Sequence, residues 1–326
     1  MPRPALFPSF FMGGFEGSNH VDRSHRRIDY IELTQHHRFY RQDYERARAA
    51  GIRLVREVVQ WHLCDRKGRI DLSSWTDMAL SAQDAGLSQI NCLFHYGYPD
   101  DLDPFDERFV PRFVAFAEAV AKWRREHIDE PRWYALANEI SMYSFAAGEV
   151  AWFAPFLTGG GARLKRALIN ASLRATEAIR TIDPASRFIS IDPTRHEVPP
   201  RDKPQLAAQL ERENETQYEA WDIALGRVDP HLGGWPDSFQ VLGVNCYPDT
   251  QKEKGANAEL PLDDPRRKPL RLILKEMWER YRKPVILGET SARGDQRPVW
   301  LRYVTDEVLA ALRDGVDAAD PDVNAA

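Results

Sequence analysis

Two carboxylates stand where short apolar runs end. Glu289 follows Pro284 to Leu287 and Gly288 in KPVILGETSARG, and Glu139, preceded by Asn138, follows Trp133 to Ala137 in RWYALANEI. Such runs read as strands buried on both faces of a parallel sheet. An acid just past such a strand lies at the sheet's carboxyl end, the face on which barrels of alternating strands and helices carry their chemistry. Two acids on that face can divide a bond cleavage between them. One protonates a leaving oxygen while the other attacks the carbon or activates water, which is the chemistry of glycosidic bonds. A separation of about 5–5.5 Å would give a covalent intermediate and retained stereochemistry.

The two roles demand opposite environments. Glu139 as general acid must keep its proton near neutrality, and apolar walls such as Trp133, Tyr134 or Met142 would favour that. Glu289 as nucleophile must stay ionised. Arg56, in an earlier apolar run, and Tyr247, just after a later one, are the cation and the hydroxyl suited to holding its charge.

Strands and helices must carry these groups to one place. The candidate strands are Leu6 to Phe15, Ile52 to Val59, Gln89 to Phe94, Trp133 to Ala137, Arg187 to Asp192, Phe239 to Asn245 and Pro284 to Leu287. Between them the pattern predicts helices over His37 to Ala50, Leu72 to Ala85, Glu107 to Glu126, Leu164 to Ile182, Leu206 to Leu225, Pro265 to Tyr281 and Val299 to Leu312. Phe109, Phe113, Phe116, Val120 and Trp123, for example, recur at helical spacing. Strand then helix, seven times, is the signature of a parallel sheet. Right-handed crossovers would curl it into an α/β fold, a (β/α)8 TIM-type barrel. One domain is expected over 1–315, with a polar tail over 316–326. Because Gly315 to Ala326 is acidic and proline-interrupted, it does not read as a buried strand. The barrel is therefore expected to be incomplete at its C-terminal strand. Glu139 and Glu289, after the fourth and seventh strands, would stand nearly opposite each other across its mouth.

Composition narrows the classes. The chain has 326 residues, 43% hydrophobic and 29% charged, with a net charge of −5 and no basic stripe, so nucleic acid is not an expected partner. Cys64, Cys92 and Cys246 lie far apart and read as free thiols in a reducing, cytoplasmic setting. The first residues lack a small-residue cleavage site, and no apolar run approaches membrane-spanning length. His36 and His37 are adjacent, with no HxH or HExxH spacing, so no metal is expected. Gly159, Gly160 and Gly161 lack the Lys-Ser/Thr that grips phosphate, and no GxGxxG or GxSxG occurs, so no cofactor and no serine nucleophile are expected. Trp61, Trp235 and Trp300 are candidate sugar platforms, although core packing is the default for a tryptophan.

Five segments in order resemble clan A of the retaining glycoside hydrolases, most closely family one, the β-glucosidase family. IRLVREVVQW resembles its Arg-Phe-Ser-x-x-Trp strand through Arg56 and Trp61. FHYGYPDDL resembles its His-Phe-x-x-Pro loop through His95 and Pro99. RWYALANEI resembles its Asn-Glu-Pro segment through Asn138 and Glu139. LGVNCYPD resembles its Gly-x-Asn-Tyr-Tyr strand through Asn245 and Tyr247, and LGETSARG its Thr-Glu-Asn-Gly strand through Glu289.

The resemblance implies hydrolysis of O-glycosides, β-glycosides foremost, with a small glycoside or oligosaccharide as the partner. It makes Glu139 the acid/base and Glu289 the nucleophile supported by Arg56 and Tyr247. It puts Glu16, His95, Asn138, Asn245 and Trp61 among the substrate-binding residues, Glu16 standing where the family has a glutamine. Ile140, Thr290 and Cys246 depart from the family's proline, asparagine and tyrosine, and the Glu139 to Glu289 interval is short. The family's eighth strand and sugar-contacting tryptophan loop have no counterpart after Gly315. The alternative that this departure raises is a barrel that binds sugar with impaired or no catalysis.

Overall fold

Parallel strands β1 (Gly13–Gly14), β2 (Leu54–Val58), β3 (Ser88–Cys92), β4 (Trp133–Ala135), β5 (Arg187–Pro193), β6 (Val241–Asn245) and β7 (Val285–Glu289) pair in that order in a computed structural model. The structure describes residues 6–129 and 131–317. Helices follow the strands: α1 (His36–Ala49), α2 (Ser73–Asp84), α3 (Phe109–His127), α4 (Gly161–Ile182), α5 (Ala207–Glu215), α6 (Leu270–Tyr281) and α7 (Arg297–Arg313). The result is a TIM-type barrel of seven strands, nearly closed, with β7 and β1 as its unpaired edges among the described residues.

The expected tail lies largely outside the described residues, which end at Asp317. Its first residue is not solvated: Val316 is buried, and the carbonyl of Asp317 accepts from the Val285 amide at 2.9 Å. Among the described residues the chain thus reaches the free edge of β7 at Asp317, where an eighth strand would begin. Phe10, Phe11 and Met12 face Val285, Leu301 and Val304 across the remaining gap.

Two elements differ from the sequence reading by more than their ends. Leu6 to Phe15 contributes only Gly13–Gly14 to the sheet, because Phe7 turns into the barrel's floor and packs on Trp133 with ring centroids 4.8 Å apart. The helix expected over Leu206 to Leu225 is broken. Pro204–Leu206 and Thr216–Tyr218 are single 3-10 turns flanking α5, and Glu219–Ala224 is a separate short helix. Leu210 is the only buried residue of α5, too little apolar surface to hold a long helix against the barrel.

Strand alternation decides what faces the axis. Leu54 and Val58 join Ile90, Trp133, Ile189 and Ile191 in the inner cluster. Arg56, between Leu54 and Val58 on the same face, therefore points inward. Glu57 points out, where Tyr44 donates to it at 2.8 Å and His36 lies at 3.2 Å. No helix among the described residues is long and apolar enough to cross a membrane. All three cysteines are buried and free.

Trp61 corrects an expectation. It begins the short helix Trp61–Cys64, which carries the ring away from the barrel mouth and under α3. Only 1% of it is exposed, its ring lies 5.2 Å from Phe109 and 5.0 Å from Phe113, and its N–H donates to Asp65 at 3.1 Å. It is a core residue and cannot stack on a ligand. Trp300 is likewise buried and donates to Thr290 Oγ1 at 2.7 Å, while Trp235 lies beneath the Arg180 guanidinium ahead of β6. Trp61→Ala should lower unfolding free energy by about 3–5 kcal/mol in a denaturant melt. A variant as stable as the parent would contradict this placement.

Candidate active site

Glu289 reaches the barrel interior through a bulge. Ile286 belongs to the inner cluster, so regular alternation would turn Gly288 inward and Glu289 outward. Instead Leu287 pairs with Val244 and Glu289 with Asn245, leaving Gly288 as an extra residue that reverses the alternation. Only glycine fits there: a Cβ would sit 2.8 Å from Asn245 Oδ1 and 3.1 Å from Ile191.

Glu139 is positioned by a different device. Beyond β4, Asn138 bridges to Ile191, and the Glu139 amide donates to the Ile191 carbonyl at 3.0 Å. Glu139 itself is left-handed, with φ 46° and ψ 56°, and its carbonyl then accepts from Tyr143 at 2.9 Å to start the turn Ile140–Tyr143. A left-handed residue other than glycine stores about 1–3 kcal/mol, strain that clusters at functional sites.

One hydrogen-bonded network joins the two acids. Arg56 donates to Asn138 Oδ1 at 2.9 Å and, with its other amino group, to Glu289 Oε1. The Tyr247 hydroxyl donates to Glu289 Oε2 at 2.7 Å. Glu139 accepts from the Tyr96 hydroxyl at 2.6 Å and from Asn245 at 2.8 Å. The Asn138 amide contacts His95 Nε2 at 3.1 Å and the Tyr96 oxygen at 3.3 Å. Glu16, its side chain 46% exposed, lies on the rim 4.0 Å from His95 Nε2.

Glu16, Arg56, His95, Asn138, Glu139, Asn245, Tyr247 and Glu289 therefore come together, and Trp61 does not. The two asparagines, expected to face a substrate, are both fully buried and already bonded to protein groups. Tyr96 is the site residue missed by sequence reasoning. It is held left-handed (φ 73°) ahead of Gly97, where a Cβ would overlap the Asn19 side chain at 1.3 Å, and no sequence pattern announces it.

The acids are electrically unlike. Burial, then the Glu289 charge, push Glu139 up to about 7 against the bonds from Tyr96 and Asn245. For Glu289, burial is the largest influence and acts upward as well, but the Arg56 guanidinium, His95 and the Tyr247 hydroxyl together hold the carboxyl below its ordinary value. His95 is driven down to about 4 by burial and by Arg56, so it is neutral near pH 7 and its Nε2 accepts from Asn138. The arrangement holds one proton-bearing acid and one bare carboxylate near neutral pH. Beside the Glu139 turn opens a cleft of about 440 Å³ walled by Ser141, Met142, Phe145, Pro193, Thr194 and Lys252. Among the described residues no group of three or more His, Cys, Asp or Glu is arranged to hold a metal ion.

No protein-family model matches the chain, and no curated protein does. Solved structures do. A family 1 β-glucosidase from Thermotoga maritima superposes with a TM-score of 0.74 at 13% identity, over 98% of this chain and 88% of that one. The Thermotoga maritima β-glucosidase in complex with glucoimidazole gives 0.76 at 13% identity, over 97% and 88%. A hyperthermophilic β-glucosidase from Pyrococcus furiosus gives 0.72 at 16% identity, over 97% and 86%. Along nearly its whole length, this chain has the fold of the β-glucosidases.

Proposed function

We propose that the chain hydrolyses O-glycosides, β-glycosides in particular, by double displacement with retention. What carries this reading is the joining of Glu139 and Glu289 in one network that keeps the first protonated and the second ionised. The likeness in fold to β-glucosidases, one of them bound to glucoimidazole, supports the same reading.

In the first step a Glu289 oxygen attacks the anomeric carbon, the bond to the leaving oxygen breaks, and Glu139 gives that oxygen its proton. In the second step Glu139, now a carboxylate, takes a proton from water, which attacks the same carbon and frees Glu289. Arg56 and Tyr247 keep Glu289 ionised and aimed between turnovers. Asn138 and His95 meet the sugar's hydroxyls, with Glu16 at the rim. For Asn138 this means exchanging its bond to His95 or Tyr96 for one to the substrate. Asn245 acts on Glu139 rather than on the sugar.

Glu139→Ala and Glu289→Ala should each lower turnover of aryl glycosides by orders of magnitude while melting near the parent. Azide should restore turnover to Glu289→Ala and yield a glycosyl azide of inverted configuration. Normal turnover by both variants would refute the assignment.

The pH dependence carries a second expectation. The rate should fall as pH rises through about 7, where Glu139 gives up its proton, and fall again at low pH, where Glu289 gains one. Tyr247→Phe removes a donor to the ionised nucleophile, so Glu289 binds its proton more readily and the low-pH limb moves to higher pH. Steady-state kinetics across pH would read both limbs, and a flat profile would count against the pair.

A further inference from the structure

Behind the Glu139 turn lies an acid with no part in the steps above. Asp192 follows the inward-facing Ile191 on β5, so its side chain points away from the barrel axis, and only 1% of it is exposed. Its Oδ1 accepts from the Ser141 amide at 3.0 Å and its Oδ2 from the Ser141 hydroxyl at 2.5 Å. Ser141 is two residues beyond Glu139 in the turn that the left-handed backbone of Glu139 begins. The preceding residue on the same strand, Ile191, supplies the carbonyl that receives the Glu139 amide. Successive residues of β5 thus grip the chain on both sides of the Glu139 side chain.

A buried carboxylate loses several kcal/mol of hydration. The cation acting on Asp192 is Lys165 of α4, the weakest of the influences on it and itself bonded to Glu219 at 2.7 Å. Two bonds to one serine are a poor return on stability alone, so the charge calls for another reason.

We propose that Asp192 is the positioning residue for the proton donor: its paired bonds to Ser141 lock the turn that aims Glu139 into the barrel. The inference rests on the reading of Glu139 as general acid. Other groups face Glu139 from the front: Glu289 from β7, Tyr96 from the loop after β3, Asn245 from β6, and Tyr247 beyond it. Asp192 acts from behind, through β5. Burial raises Asp192 to about 6 against its bonds to Ser141, so it is largely ionised where the enzyme would work. Its charge adds to burial and to Glu289 in holding the proton on Glu139.

Asp192→Asn separates charge from geometry. The amide oxygen still accepts from the Ser141 amide, and the amide nitrogen donates to the Ser141 hydroxyl. Carboxyl carbon NMR, with the Glu139 signal identified by its loss in Glu139→Gln, titrates the group whether or not substrate turns over. Removing the charge should move that titration down by about half to one pH unit. The high-pH limb of kcat/KM should follow, while the low-pH limb set by Glu289 stays in place.

Ser141→Ala breaks one bond of the clamp and tests the geometry. It should slow glycosides with poor leaving groups by about tenfold or more. In kcat/KM, which reads the first step alone, it should leave dinitrophenyl glycosides, which depart without an acid, nearly untouched. A merely structural clamp would slow both substrates alike. An unmoved Glu139 titration in folded Asp192→Asn, or an equal loss on both substrates in Ser141→Ala, would overturn the proposal. Normal turnover by Glu139→Ala would instead sink the parent reading and leave the titration result standing.

Discussion

A guanidinium inside an apolar barrel is tolerable only where its charge and its N–H groups are answered, and Arg56 is answered twice. One arm holds the Glu289 carboxylate and the other the Asn138 side-chain oxygen. Through Asn138 the same charge reaches His95 and Tyr96, and through Tyr96 it reaches Glu139. Arg56 thus bears on the protonation of three groups, each of which burial shifts most. It lowers Glu289 directly, adds to burial in keeping His95 neutral, and through the Glu289 charge adds to burial in raising Glu139. Without it Glu289 would lose the cation that sets it apart from Glu139.

The strands deliver these groups by irregularity rather than by regular pairing. Glu289 faces inward because Gly288 is a bulge, and Glu139 faces inward because its backbone is left-handed. Both departures sit at the carboxyl ends of strands whose lower halves are regular and closely packed around Phe7, Trp133 and Ile189. The packed floor supplies the stability that the strained rim uses. Among the described residues the seam between β1 and β7 is unpaired, and Phe10, Phe11 and Met12 line it opposite Val285, Leu301 and Val304.

Much of this was legible in the residues. Apolar runs alternating with amphipathic stretches marked seven strands and seven helices, because barrel strands are buried on both faces and their helices on one. Acids at the ends of the Trp133 and Val285 runs could be recognised for the same reason. Other features could not be read in that way. Alternation alone would turn Glu289 outward, and only the register with Asn245 reveals the bulge. Trp61 looked available because it follows a strand, yet the helical turn it begins carries it under α3. Tyr96 and Asp192 carry no pattern, since their partners are distant in the chain and chosen by the fold. The break after α5 was hidden because polar helix and polar turn have the same composition.

The central claim is that Glu289 is a bare carboxylate able to form a bond to an anomeric carbon. A 2-deoxy-2-fluoro glycoside with a dinitrophenolate leaving group tests it directly, because the fluorine slows release of the glycosyl intermediate more than its formation. Mass spectrometry of the digested protein should find one sugar per chain, attached to the peptide containing Glu289, with one equivalent of dinitrophenolate released in a burst. An unlabelled protein, or a label on any other residue, would contradict the account.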